Sequence, residues 1–404
     1  MLPRGQTGCV AYSLAAGPEI VAIPGPTIVP DRVLSAMHRP MPDLYAGELL
    51  TVTDEIYERL PALARTTSPA LITISNGHGA WAMALSNTLS RGDQVLVLEC
   101  GVFARVWGEM AEFDGLQVET MIAEDGAAID PDAVEARLRE DSQRAIKAVL
   151  MVQTDTASSV RNDVAAVRRA LDAADHPALL LVDCIASMGC EQYEMDAWGV
   201  DVTLAASQKG LMTPPGLGFV WAGPRALEAH RTADMRTRYW DWTFRLQEGP
   251  QYLRFCGTAP VSHIFGFREA LRMIEEEGLE ARWQRHTALA SAVRAAVDAW
   301  AAPDGLSLFV RDPAHRGDSV TTIGTGGVDS ARLAEISRDS GGVTLGVGLL
   351  HLAGRAFRIG HMGHVSAASI LGVLGVVEAA LLAMEAPIGA SGVAAASASI
   401  ARSM

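Results

Sequence analysis

The segment LAASQKGLMTPPGLGFV, residues 204–220, is the stretch from which the rest of the chain is interpreted. It places Lys209 between two apolar runs that are typical of buried strands, with a Pro-Pro-Gly turn just after the lysine. Burial disfavours a charged amine, so it lowers the pKa of a lysine from its usual value near 10.4. A neutral amine can condense with an aldehyde. Taken alone, a lysine at a strand end more often extends into solvent. Whether Lys209 is buried therefore depends on the residues around it.

Length and composition predict a globular protein with one larger and one smaller domain. The chain has 404 residues, of which 49% are hydrophobic and 20% charged. A formal net charge of −14 disfavours a nucleic-acid surface and polybasic attachment to a membrane. The N-terminus has no long apolar core, so we expect no signal peptide, and residues 369–384 predict a packed helix and not a membrane span.

The cysteines predict a location in the cytoplasm. They are five in number, widely spaced and without a CxxC pair, which favours reduced thiols over a disulfide framework or a metal site. These cysteines are Cys9, Cys100, Cys184, Cys190 and Cys256.

Strand-like and helix-like segments alternate up to about residue 265, which predicts a mostly parallel sheet. Several of the strands are apolar without alternation, as expected for strands covered on both faces. The predicted strands are 70–74, 94–99, 145–153, 178–183, 201–207 and 217–223, and the predicted helices are 77–90 and 164–175.

The pattern changes after about residue 265. Residues 263–300 have apolar side chains at helical spacing, and short strands are predicted at 319–325, 342–348 and 356–361. We therefore expect an N-terminal arm over residues 1–19, a large domain over 20–265 and a smaller α/β domain over 266–404. The Ala- and Ser-rich tail is either a terminal helix or frayed.

Polar residues follow several of the predicted strands, where the carboxyl ends of parallel strands face a ligand crevice. Asp183 closes one strand and can hold a protonated ring nitrogen, or it can simply cap a helix. Asn76, Gly77 and His78 begin a helix whose N–H groups can bind an anion, although this turn is neither GxGxxG nor a P-loop. Phe103, in ECGVFARVW, can cover the face of an aromatic ring or belong to the core.

Two further residues are candidates for ligand contacts. Thr156, in QTDTASSVRND, lies at another strand end, where its hydroxyl can reach a ring oxygen. Arg358, in FRIGHMG, lies in an apolar run and needs a partner, for which a carboxylate is the natural choice. That carboxylate belongs either to a substrate or to an internal acidic residue.

Six motifs, taken in order, resemble the class V aminotransferases of pyridoxal 5'-phosphate (PLP) fold type I, and within them the alanine–glyoxylate and serine–glyoxylate aminotransferases. The motifs are NGHGAW, VFARVW, TDTASS, LVDCIASMG, SQKGLMTPPG and FRIGHMG. The resemblance runs from about PGPT (24–27) almost to the C-terminus. It implies PLP as cofactor, a homodimer with shared active sites, and ping-pong transfer of an amino group from a small amino acid to glyoxylate or pyruvate.

The resemblance also implies a role for each matching residue. Lys209 corresponds to the lysine that forms a Schiff base with PLP, and Asp183 to the partner of the ring nitrogen. The other cofactor contacts that it implies are Asn76, Gly77, His78, Phe103, Thr156, Ile185, Gln208 and, from the other subunit, Thr258. The substrate contacts that it implies are Arg358, Gly25 and Tyr45.

The chain departs from the family pattern in ways that keep alternatives open. Phe255 replaces a tyrosine that contacts the phosphate in some relatives, and Tyr45 is closer to what pyridoxamine–pyruvate aminotransferase has at that place. His78 and Gln208 argue against that alternative, because that enzyme has other residues at both positions. A PLP lyase or desulfurase is disfavoured, because a desulfurase needs a cysteine in the small domain and the last cysteine here is Cys256. No DNA-binding appendage is recognisable, which disfavours a PLP-binding regulator.

Overall fold

The computed structural model describes residues 14–404. Cys9 and most of the expected N-terminal arm therefore lie outside the described residues. The strands are β1 (Ile20–Ala22), β2 (Ala70–Ser75), β3 (Gln94–Glu99), β4 (Gln117–Ile122), β5 (Ile146–Val152), β6 (Leu179–Asp183), β7 (Val202–Ala206), β8 (Gly216–Ala222), β9 (Ser307–Leu308), β10 (Val320–Gly324), β11 (Val343–Val347) and β12 (Ala356–Gly360).

Helices cover both sheets and connect most of the strands. They are α1 (Asp31–Met37), α2 (Glu48–Leu63), α3 (Gly77–Thr88), α4 (Val102–Phe113), α5 (Pro131–Glu140), α6 (Val164–Ala173), α7 (Pro224–His230), α8 (Trp242–Arg245), α9 (Tyr252–Phe255), α10 (Val261–Glu277), α11 (Leu279–Trp300), α12 (Ser330–Asp339), α13 (Ala367–Ala383) and α14 (Gly392–Ala401). Within residues 14–404, no helix is long and apolar enough to span a lipid bilayer.

In the described part of the chain, seven strands form the larger sheet in the order β2-β8-β7-β6-β5-β3-β4. Neighbouring strands are parallel from β7 through β4, whereas β8 is antiparallel to both β2 and β7. This arrangement confirms the predicted mostly parallel α/β sheet. Parallel strands need crossover helices, which explains the alternation of strand and helix along the chain.

Strand β6 shows why these strands are apolar at every position. Leu180 and Val182 belong to the core on one face of the sheet, whereas Leu179 and Leu181 belong to the core on the other face. Successive side chains of a strand point to opposite faces, so a sheet covered on both faces needs apolar residues throughout. The only place left for polar chemistry is then the end of the strand, where Asp183 lies.

The second sheet contains, among the described residues, five strands in the order β1-β11-β12-β10-β9. Its core is formed with α11, α13 and α14. Residues 20–22 were expected in the larger domain, but they pair in parallel with β11. Strand β1 is only three residues long and carries no signal for its partner, which lies more than 300 residues away in the sequence.

The expected long helix over residues 263–300 is interrupted. It consists of α10 and α11, separated by Gly278 at φ +82°. A residue with positive φ cannot continue a right-handed helix, and glycine adopts this conformation at little cost. The C-terminal tail is helical as α14, which packs on α11, and residues 369–384 lie almost entirely in the packed helix α13.

Candidate active site

The carboxyl ends of the central strands surround a cavity of about 170 Å³. The polypeptide reaches it directly after β2, β5, β6 and β7, as expected for a crevice at this edge of a mostly parallel sheet. The cavity brings together most of the residues that the sequence predicted, namely Asn76, Gly77, His78, Phe103, Thr156, Asp183, Ile185, Gln208 and Lys209. Trp81 and Thr154, which were not predicted, line it as well.

Lys209 is buried, and its Nζ donates a hydrogen bond to the carbonyl of Pro24. Burial, together with the positive charge of Arg358, lowers the pKa of this amine from 10.5 to about 7. The N-terminal loop lies against the lysine: a Cβ on Gly25 would collide with its side chain, and Thr27 Oγ1 donates to its carbonyl at 3.0 Å. Lys209 is therefore a buried amine and not a surface lysine.

The turn that carries Lys209 is fixed by its own hydrogen bonds. Ser207 Oγ donates to the carbonyl of Pro214 at 2.7 Å and accepts from the N–H of Leu217 at 3.2 Å. From α11, the buried Arg282 donates to the carbonyl of Gly210 at 2.8 Å and to that of Gly189 at 2.7 Å. The loops that follow β6 and β7 are thus held together, so Asp183 and Lys209 keep a fixed separation.

Asp183 is also buried and lies at the same cavity as Lys209. Its carboxylate accepts from Trp81 Nε1 at 2.8 Å and from the N–H of Ile185 at 2.6 Å. Burial outweighs these donors and raises the pKa of Asp183 from 3.8 to about 7. A cationic group in the cavity would therefore stabilise the ionised form of this buried carboxylate.

The start of α3 forms another side of the cavity. The side chain of Asn76 caps the helix by accepting from the N–H of His78 at 3.1 Å. A Cβ on Gly77 would collide with the end of the Ile185 side chain, so the start of α3 lies close against this residue. The ring of His78 lies 4.5 Å from that of Trp81, and burial lowers its pKa. His78 is therefore a neutral aromatic ring at the cavity at neutral pH.

Arg358 lies on β12 and is buried beside the cavity. Its Nε donates to the carbonyl of Val347 and its Nη1 to the carbonyl of Thr156, both at 2.8 Å. Burial lowers the pKa of Arg358 to about 10, so the guanidinium is still charged at neutral pH. Within residues 14–404 no acidic side chain forms a salt bridge with it, which leaves a substrate as the candidate carboxylate partner.

Thr258 and Tyr45 do not line the Lys209 cavity within this chain. Both line a separate surface cavity of about 510 Å³, and Tyr45 is 85% exposed. A contact of Thr258 with the cavity of a second subunit stays a prediction. Gly25 contacts Lys209 itself, and Phe255 is fully buried in the core.

The cavity has features that suit a bound cofactor. The side-chain oxygen of Gln208 is buried without a hydrogen-bond partner among the described residues, although buried polar atoms are normally satisfied. A flat ligand with a cationic nitrogen and an anionic group fits the buried carboxylate of Asp183 and the capped start of α3. Among residues 14–404, no group of His, Cys, Asp and Glu side chains is arranged to hold a metal ion.

Comparisons with known proteins identify the family. The profile described as Aminotransferase class-V matches residues 31–370. The chain is 38% identical over 360 residues to the serine–glyoxylate aminotransferase of Methylorubrum extorquens, covering 87% of this chain and 88% of the relative. It is 38% identical over 348 residues to the L-aspartate–glyoxylate aminotransferase of Paracoccus denitrificans, covering 85% and 86%.

A solved structure agrees with these relatives. Pyridoxamine–pyruvate aminotransferase from Mesorhizobium loti superimposes with a TM-score of 0.86 at 26% sequence identity, covering 97% of this chain and 100% of that one. The family model, the relatives and the matching fold together define an enzyme that transfers amino groups. The chain belongs to the class-V aminotransferase family, and it is an aminotransferase.

Proposed function

We propose that this aminotransferase uses PLP to move an amino group from a small amino acid to glyoxylate or pyruvate, in a ping-pong scheme on one site. The observation that carries the proposal is the pairing of a buried lysine amine with a buried carboxylate at one cavity. The names of the 38% identical relatives support glyoxylate as acceptor and serine or aspartate as donor. Alanine remains in the donor set, because a relative that is 31% identical over 329 residues is named alanine–glyoxylate aminotransferase.

The residues that would hold PLP are those that line the cavity. When bound, PLP supplies an aldehyde for the lysine amine and an electron-withdrawing ring with a protonatable nitrogen. Asp183 would face that nitrogen, and the resulting ion pair would offset the burial of its carboxylate. The N–H of Gly77 and the amide of Gln208 would bind the phosphate, while Phe103 and Ile185 would pack on the ring.

Lys209 is suited to move protons because its pKa lies near neutrality. With a pKa of about 7, roughly half of the amine is neutral at pH 7, compared with well under 1% for an ordinary lysine. A base with this pKa can both remove the proton from the substrate α-carbon and return it. We propose that Nζ of Lys209 performs both proton transfers.

Arg358 would bind the α-carboxylate of each substrate in turn. Its Nε and Nη1 donate to backbone carbonyls, which fixes the plane of the guanidinium, and no described acidic side chain forms a salt bridge with it. A planar guanidinium held in this way binds a carboxylate with directional N–H donors. The amino donor and the keto acid both carry this carboxylate, so one arginine serves both halves of the reaction.

We further propose a cytoplasmic homodimer in which Thr258 of each chain reaches the other chain's cavity. Large apolar side chains are exposed over residues 28–45 and 239–252, which supports an interface there. The described cysteines are thiols, which supports a reducing compartment. We keep the proposed domains, residues 20–265 and 266–404, with β1 contributed to the smaller one.

The test is a panel of amino donors against glyoxylate and pyruvate, with Lys209→Ala as the negative variant. We expect turnover with glyoxylate and one or more of serine, alanine and aspartate, and loss of both turnover and the lysine-bound cofactor absorbance in the variant. Turnover of Lys209→Ala at the wild-type rate would refute the assignment.

The alternative is an enzyme of the pyridoxamine–pyruvate type, favoured by Tyr45 and by the structural match. Such an enzyme treats the cofactor as a substrate, so the protein would lose it on gel filtration and would accept free pyridoxamine as the amino donor. Retention of one PLP per chain together with inactivity toward pyridoxamine would decide for the first function.

A further inference from the structure

Asp155 is a buried carboxylate beside the site, and the proposed reaction does not use it. It lies in the loop after β5 and is fully buried. Its Oδ2 accepts from the N–H of Phe103 at 2.8 Å, and its Oδ1 accepts from the N–H groups of Ala157 at 2.8 Å and Ser158 at 3.1 Å. Among residues 14–404, no Lys, Arg or His forms a salt bridge with this carboxylate.

These hydrogen bonds join two walls of the cavity. The residue before α4 is Gly101, which offers no capping side chain, and the carboxylate of Asp155 takes that place by binding the N–H of Phe103. A Cβ on Gly101 would collide with the carboxylate, so the helix start and the loop are in direct contact. The same carboxylate closes the turn that contains Thr156. Asp155 thus fixes Phe103 and Thr156 relative to each other.

The position of Thr156 in turn affects Arg358. The carbonyl of Thr156 accepts from Arg358 Nη1 at 2.8 Å, so the loop closed by Asp155 is one of the two backbone segments that hold the guanidinium. A displacement of this loop would therefore move Thr156 and Arg358 together, and would also break the contact with the N–H of Phe103.

The charge of Asp155 also acts on the ionisable groups of the site. Its negative charge raises the pKa of Lys209 and that of Arg358, in both cases against the effect of burial, and it raises the pKa of Asp183. The other charges that act on Lys209 are those of Arg358, which lowers its pKa, and of Asp183, which raises it. The thiol of Cys190 is near as well, but burial raises its pKa to about 11, so it carries no charge at neutral pH. The carboxylate of Asp155 therefore acts on three ionisable groups of the site, namely Lys209, Arg358 and Asp183.

We propose that Asp155 is a positioning residue of this enzyme, which fixes Phe103 and Thr156 at the cavity and supplies the resident negative charge beside Lys209 and Arg358. This inference rests on the proposed function for its purpose. The test of this inference does not depend on the proposed function, because it measures the effect of the charge on the cofactor-free, full-length protein.

The test is the substitution Asp155→Asn, followed by titration of the lysine side chains by NMR. The chain has only two lysines, Lys147 and Lys209, so protein labelled with ¹³C at lysine Cε gives two resonances, which Lys147→Arg assigns. We expect Lys209 in Asp155→Asn to titrate at lower pH than in the wild type, by on the order of one pH unit, because the variant loses an adjacent negative charge. We also expect weaker retention of PLP on gel filtration.

A matched control separates this role from ordinary structural support. Asp141 is buried too, accepts from the N–H groups of Ala145 and Ile146, and lies at the opposite end of β5 from the cavity. Asp141→Asn should lower stability without moving the Lys209 titration. A folded Asp155→Asn protein in which Lys209 titrates as in the wild type would overturn the proposal.

A second variant covers the case in which Asp155→Asn does not fold. Gly101→Ala keeps the charge but pushes the carboxylate away from α4. We expect it to shift the Lys209 titration and to weaken PLP retention, and an unchanged titration would again overturn the proposal. A failed transaminase assay of the wild type would count against the proposed function alone.

Discussion

The substitution Lys209→Met measures directly what burial of this amine costs the fold. Methionine has a similar length and is apolar, so it fills the same space without a charge. In the folded protein the pKa of Lys209 is about 7, compared with 10.5 for an ordinary lysine. Between these two pH values the unfolded chain binds a proton that the folded chain releases. The stability of the wild type therefore rises with pH from 7 to about 10.5.

The size of the effect follows from the same values. At ~1.36 kcal/mol per pKa unit, with half of the amine already neutral, the lowered pKa of Lys209 costs the cofactor-free protein about 4 kcal/mol at pH 7. Methionine removes this cost but leaves the carbonyl of Pro24 without the Nζ donor, a loss of about 1 kcal/mol. We therefore expect Lys209→Met to be more stable than the wild type by about 3 kcal/mol at pH 7.

The assay is urea unfolding of the cofactor-free proteins at pH 7 and pH 10, followed by tryptophan fluorescence. At pH 10 the unfolded lysine is still mostly protonated, but the lowered pKa of Lys209 then costs only about 0.8 kcal/mol. This cost is about the size of the hydrogen bond that methionine loses, so the two proteins should be about equally stable. Lys147→Met is the control: this lysine is exposed, so we expect a change within about 0.5 kcal/mol at either pH. Equal stability of wild type and Lys209→Met at pH 7, or a gain that is the same at both pH values, would refute the reasoning.

Further predictions concern the groups around the lysine. Trp81→Phe removes the hydrogen bond that Trp81 Nε1 donates to Asp183 at 2.8 Å. We therefore expect the free energy of unfolding, measured with urea, to fall by about 1–3 kcal/mol. Arg358→Leu should raise the KM for amino and keto acids at least tenfold in steady-state kinetics; it should also raise the pH at which Lys209 titrates by NMR, because the positive charge of Arg358 lowers the pKa of that amine. Gly25→Ala should lower kcat by more than tenfold, because its Cβ would displace the Lys209 side chain; a wild-type kcat would show that this contact is not maintained. The variant should also be less stable than the wild type, because Gly25 has a φ of +94°, which is strained for alanine.

Much of the larger sheet could be predicted because its strands are buried on both faces. Runs such as those of β5, β6 and β7 are apolar throughout, and burial on both faces leaves little other choice of residue. The edge strand β4 was not predicted, since its side chains are partly exposed and its sequence, QVETMI, has little apolar character. Local pattern is informative where packing covers the side chains of a strand, as in the edge strand β2, and weak where they are exposed, as in β4.

The sequence by itself determined the order of the motifs, the residue types at the strand ends and hence the candidate roles of Lys209, Asp183 and Arg358. Those residues are recognisable because the chemistry restricts them to specific types at the ends of apolar runs. Only the tertiary structure decided that Trp81 donates to Asp183, that β1 pairs with β11, and that Asp155 joins two walls of the cavity. Each of these contacts joins segments that are far apart in sequence, and their partners depend on how the chain packs and not on local composition.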